Sequence, residues 1–181
     1  MEIKMEERLK NILSFVNDWL KFAEAKNGAL VVLNGAIIFG VLSVLNDNKI
    51  FVNWQIFYFW MIIGFNLLSL IVGLLSFWPQ TKNSWLNLSG YSNKEDNILF
   101  FAHISKYNPT EYLKSLYEAE GTKKDKFTKF EIDYSNQIII NSQIASQKYR
   151  FFKLALWLTL AGFLTLIGAV LVTIVLSPNK K

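Results

Sequence analysis

Cysteine is absent from this chain, so neither a disulfide framework nor thiol chemistry can be built from it. His103 is the only histidine. A zinc site of the usual cysteine and histidine ligands is therefore excluded. A lone histidine in an apolar segment also gives no basis for a Ser-His-Asp constellation. None of the nine glycines falls in a GxGxxG pattern or in the GxxxxGKS/T loop, so the standard phosphate cradles are missing. The adjacent acids Glu95 and Asp96, and the pair Glu118 and Glu120, read as solvated helix ends. These absences leave no argument for an enzyme, a bound metal or a cofactor.

The absence with the largest consequence is that of charge from three long apolar stretches, Gly28–Leu45, Phe57–Trp78 and Leu154–Leu176. A helix of a water-soluble protein keeps one polar side, whereas a membrane-crossing helix of about 20 residues is apolar all round. The first stretch has 18 residues, at the short end of what crosses a bilayer, and the other two exceed 20. Trp54, Tyr58 and Trp60 at one end of the second stretch and Phe77-Trp78 at the other read as interfacial belts. The first 27 residues mix five acidic with five basic side chains, unlike a cleavable signal peptide. Gly28–Leu45 is therefore expected to remain as an anchor.

Basic residues orient these spans. Five lie in the N-terminal arm, one (Lys49) in the hairpin loop, eleven in Pro79–Lys153 and two in the tail. The positive-inside bias predicts a cytoplasmic N-terminus and large loop, with the hairpin tip and C-terminus outside. The net charge of +5 fits this bias together with attraction to anionic lipid. It does not indicate nucleic acid, because the lysines alternate with acids.

Outside the spans the periodicity is helical. Leu9, Ile12, Leu13, Val16, Leu20 and Ala23 predict an amphipathic helix over Ile3–Lys26, with a bend at Asn27-Gly28 as one option. Asn108-Pro109-Thr110-Glu111 is a helix start, ending near Glu120 with Gly121 beyond it. Ile98–Ser105 fits helix or strand, with Asp96 or Asn97 as its cap. From Phe127 onward no proline intervenes until Pro178, predicting one helix of roughly 50 residues, ~75 Å, that becomes the third span. Its soluble half carries a stripe of Phe127, Phe130, Tyr134, Ile138, Asn141, Ala145, Lys148 and Phe152. Within lipid, Asn34 and Asn66 are polar and should face another helix or an oligomer pore. Ser69 with Gly73, and Ala161, Thr165, Ala169 and Thr173, are small residues spaced for close helix packing. The expected division is 1–27 amphipathic helix, 28–78 transmembrane hairpin (28–45 and 57–78), 79–150 cytoplasmic helical region, 151–176 third transmembrane helix and 177–181 tail. The fold class is an all-α membrane protein.

Three segments carry a resemblance. They are Lys26-Asn27-Gly28-Ala29-Leu30-Val31-Val32-Leu33-Asn34-Gly35, Asn97-Ile98-Leu99-Phe100-Phe101-Ala102-His103-Ile104, and Asp133-Tyr134-Ser135-Asn136-Gln137 continuing to Ala145-Ser146-Gln147-Lys148-Tyr149. In this order they resemble the transmembrane effectors of Pycsar antiphage defence, and more distantly the SLATT-type membrane effectors. The resemblance covers roughly residues 15–175. It implies a non-enzymatic effector in the bacterial inner membrane that responds to cyclic CMP or cyclic UMP made by a partner cyclase. On activation such an effector impairs the membrane, so that the infected cell stops growing. Three spans are too few to enclose a pore, which predicts a homo-oligomer. A single cyclic phosphate and a base need a cation and polar or aromatic partners. Matched to these segments, the candidate ligand residues are Lys26, Asn97, His103, Gln137, Asn141 and Lys148. Two other classes compete, a membrane-anchored interaction protein with a helical partner-binding region and a small constitutive channel.

Overall fold

The computed structural model describes residues 2–47, 52–79 and 95–176, with the backbone alone at 2–4 and 173–176. The polar segment Gln80–Asn93, Lys49 of the hairpin and the tail from 177 lie outside the described residues. Among the described residues there are five helices: α1 (Glu2–Asn46), α2 (Asn53–Leu75), α3 (Phe101–Ile104), α4 (Pro109–Ala119) and α5 (Lys129–Leu176). Among the described residues there is no strand. The chain divides into two compact units, Met1–Glu24 with Pro79–Tyr149 and Ala25–Trp78 with Arg150–Lys181.

The first unit has a conventional apolar core. Met5, Leu9, Ile12 and Val16 of α1 meet Ile104, Tyr107, Tyr112, Leu113, Leu116, Tyr117, Ile138 and Ile139. Burying each leucine or isoleucine contributes roughly 1.5–3 kcal/mol. The expected apolar face of α1 is the buried one, since Leu9, Ile12, Val16 and Ala23 are all inside. α1 passes Asn27-Gly28 as unbroken helix. α4 starts at the expected cap: the Asn108 side chain accepts the Glu111 amide at 2.9 Å, with Pro109 in the first turn. Gly121 follows its end at a φ of 72°, which favours glycine. In the 98–105 segment the chain chooses helix. The Asn97 side chain accepts the Leu99 amide at 2.9 Å, and the resulting turn leads into α3.

The expected stripe on the soluble half of α5 is displaced. Ile138 and Ala145 are buried, but Glu131, Ser135 and Ser142 fill the inward face and Phe130 is 37% exposed. For Glu131 and Ser135 the reason is polar pairing with α4 and the turn after it. Ser135 Oγ donates to the Pro109 carbonyl at 3.0 Å, and Glu131 has four donor groups around it.

In the second unit, portions of α1, α2 and α5 pack as apolar helices, each long and apolar enough to cross a membrane. α2 stops at Leu75, short of the Trp78 end of its apolar stretch. Residues 76–78 tighten into turns, with the Phe77 amide on Leu74 and the Trp78 amide on Leu75. Pro79 supplies the cause, because it disfavours helical backbone at the residue before it. Small residues make the close contacts here. A methyl at Gly73 would lie 2.7 Å from Val31 Cγ2, and one at Gly162 would lie 2.6 Å from Asn66 Nδ2. On α5 the buried face is Ala155, Thr159 and Gly162, whereas the expected Ala161, Thr165 and Ala169 stripe is only half-buried. The side chain of Thr173 lies outside the described residues. Thr165 instead turns its hydroxyl back to the Gly162 carbonyl at 2.7 Å.

Candidate functional site

In the second unit each helix supplies one buried polar side chain to a single knot. Asn34 of α1 donates from Nδ2 to Ser69 Oγ of α2 at 2.8 Å, and accepts at Oδ1 from Thr159 Oγ1 of α5 at 2.9 Å. Ser69 Oγ lies 2.9 Å from Thr159 Oγ1 and donates to the Ala155 carbonyl at 2.7 Å. All three side chains are at most 2% exposed. In hydrocarbon an unpaired amide or hydroxyl costs several kcal/mol, so these groups select one helix arrangement over others of equal apolarity. Asn34 thus faces neighbouring helices of its own chain. Asn66, three residues from Ser69, donates to its own helix at the Ile62 carbonyl (2.8 Å) and lies against Gly162. Sequence reasoning named Asn34, Asn66 and Ser69 but missed Thr159. Its signal was the 4,3 spacing of Ala155, Thr159 and Gly162.

Of the six candidate ligand residues, five belong to the first unit and Lys26 to the second. Asn97 and His103 come together: the Asn97 amide donates to His103 Nδ1 at 2.8 Å. With Nδ1 accepting, the ring proton sits on Nε2 and makes that atom a donor. Asp96 Oδ1 lies 3.6 Å from the same Nδ1 and holds Lys106 Nζ at 2.9 Å. Lys106 is a cation near this pair that sequence reasoning did not single out. Gln137 and Asn141 form a second group. Gln137 Nε2 donates to Asn141 Oδ1 at 2.9 Å, and Asn141 Nδ2 donates to Asn17 of α1 at 2.8 Å. One heptad further along both helices, Lys148 pairs with Glu24 at 3.2 Å, so α1 and α5 run parallel within this unit. Lys148 has a side chain only 12% exposed. In the second unit Lys26 places its ammonium 5.5 Å from the centre of the Phe152 ring.

A third polar group ties the start of α5 to the end of α4. Glu131 accepts from the Tyr117 hydroxyl, from Lys124 Nζ at 3.1 Å and from the Thr128 amide at 2.7 Å. Burial alone would raise the Glu131 pKa, but these donors outweigh it and hold the carboxyl below the usual glutamate range. Burial would likewise lower Lys124, yet Glu131 and Tyr117 outweigh it and raise the ammonium. This cluster is an internal anchor whose donors are spent on one another.

The family model described as the Pycsar effector protein domain matches residues 8–176. The chain belongs to the Pycsar effector family. Membership puts this effector in antiphage defence, with a link to cyclic-nucleotide signalling and its cyclase, and the three long apolar helices make it a membrane protein. No curated protein and no solved structure matches the chain.

Proposed function

We propose that this effector is a non-enzymatic switch of the bacterial inner membrane: a cyclic pyrimidine nucleotide binds its first unit, and an assembled homo-oligomer then breaches the bilayer. The family match over residues 8–176 carries the reading. Three further features support it. The spans contain no charge, in contrast to a constitutive transport path, which usually carries some. The basic residues favour a cytoplasmic N-terminus and large loop, where a nucleotide would be met. α1 and α5 each contribute residues to both units as single helices, so a change in one unit has covalent routes to the other.

Within this reading the ligand residues are those of the first unit, Asn97, His103, Gln137, Asn141 and Lys148, and Lys26 of the second unit is set aside. Asn97 and His103 come first, because they lie together and His103 Nε2 is a donor; Lys106 nearby is held by Asp96 at 2.9 Å. Lys148 and Asn141 come later, because each already has a partner on α1.

Calorimetry with purified full-length protein tests the binding step. Cyclic CMP or cyclic UMP is expected to bind selectively over cyclic AMP and cyclic GMP. Loss of one hydrogen bond in His103→Ala should weaken binding about 5-fold to 10-fold. A folded sample that binds none of the four refutes the sensing role.

A further inference from the structure

We infer that the Leu99–Phe100 tip, together with Trp19 and Phe22, is a docking surface for the anionic headgroup layer of the membrane that the spans cross. In the first unit these four side chains are exposed by 58%, 38%, 41% and 49%, in the order Leu99, Phe100, Trp19, Phe22. They form one patch on an aromatic base. The Phe100 ring is 4.8 Å from Phe101, Phe101 stacks on Tyr149 at 5.2 Å, and Trp19 lies 5.5 Å from Phe101 and 6.5 Å from Phe22. An exposed cluster of this kind is an interaction site and not ordinary surface.

Two observations favour lipid as the occupant. First, the patch lies where the helices approach their apolar stretches. Tyr149 precedes Leu154 on α5 by five residues and Phe22 precedes Gly28 on α1 by six, so the helical rise is about 7–9 Å in each case. Tryptophan and phenylalanine at that height suit the boundary between headgroups and acyl chains. Second, the charge there is complementary to an anionic leaflet. Lys21, Lys26, Lys148, Arg150 and Lys153 fall within seven residues of the two apolar stretches, against the acid Glu24. Arg150 and Lys153 are exposed, Lys21 is exposed and paired with Asp18 at 3.5 Å, and basic groups at such a surface are attracted to anionic headgroups. The inference rests on the spans, the exposed patch and its basic flank, and is independent of which nucleotide the effector senses.

The cysteine-free sequence allows a direct test. A nitroxide on Leu99→Cys, in full-length protein reconstituted in vesicles with one-third phosphatidylglycerol, reports depth through its relative accessibility to oxygen and to a polar nickel relaxant. The same label on Glu118→Cys, exposed on α4, is the aqueous control. The inference predicts oxygen-dominated relaxation at position 99, about 5–10 Å below the phosphates, and nickel-dominated relaxation at 118. It also predicts that depth at 99 decreases in vesicles of neutral lipid alone. A nickel-accessible label at 99 overturns it. So does a label shielded from both agents with spin–spin broadening, which would mean that a second copy covers the patch.

Discussion

Thr159 is the side chain on which the knot between the three helices depends most. Its hydroxyl reaches α1 at Asn34 and α2 at Ser69. Thr159→Val keeps the shape and deletes both links, leaving Asn34 Oδ1 without this donor. The variant should lose about 1–2 kcal/mol of helix association, read as an earlier midpoint on titration from mild micelles into sodium dodecyl sulfate. An unchanged midpoint would show that apolar packing alone sets the arrangement. Gly162→Ala acts at the neighbouring contact through volume, because its methyl would lie 2.6 Å from Asn66 Nδ2. Overpacking of this kind costs about 1–3 kcal/mol, and the same titration should show it. Glu131 makes the first unit sensitive to acid. Its folded pKa is depressed, so its stabilising contribution is complete above the ordinary value of about 4.3 and is lost as pH falls from there through the folded value. Helical melting followed at pH 7 and pH 3 should fall further for the natural chain than for Glu131→Gln. Equal losses would remove Glu131 as the source.

At the scale of elements, local chemistry decides the starts and ends. Asn108→Ala removes the side-chain acceptor of the Glu111 amide and should destabilise the first unit by about 1 kcal/mol in thermal unfolding. An unchanged melting temperature would mean that tertiary packing alone fixes the start of α4. Such features were legible in the sequence because they depend on three or four adjacent residues. So were the three apolar stretches and the continuity of α5, where no proline interrupts the chain. The inward face of α5 was not legible. Phe130 and Tyr134 outrank Glu131 and Ser135 in apolarity, but Glu131 and Ser135 have partners on and beyond α4, distant in sequence. The same holds for Thr159, whose role appears only when Asn34 and Ser69 are beside it. Ile98–Ser105 remained ambiguous because so short an apolar run has no decisive period, and the Asn97 turn resolves it toward helix.

For the whole molecule, family membership and three apolar helices agree on a membrane effector of antiphage defence. The candidate ligand residues were legible only as types and positions. The structure distributes them between two units and groups Asn97 with His103 and Gln137 with Asn141. In the proposed function a cyclic pyrimidine nucleotide converts this protein from a sealed bundle into a breach. The decisive measurement is release of an entrapped dye from vesicles carrying the full-length protein, with cyclic CMP, cyclic UMP, cyclic AMP or cyclic GMP added. Rapid release is expected with one pyrimidine nucleotide, and retention with both purine nucleotides. Vesicles that stay sealed with all four, while the inserted protein is demonstrably helical, would contradict it.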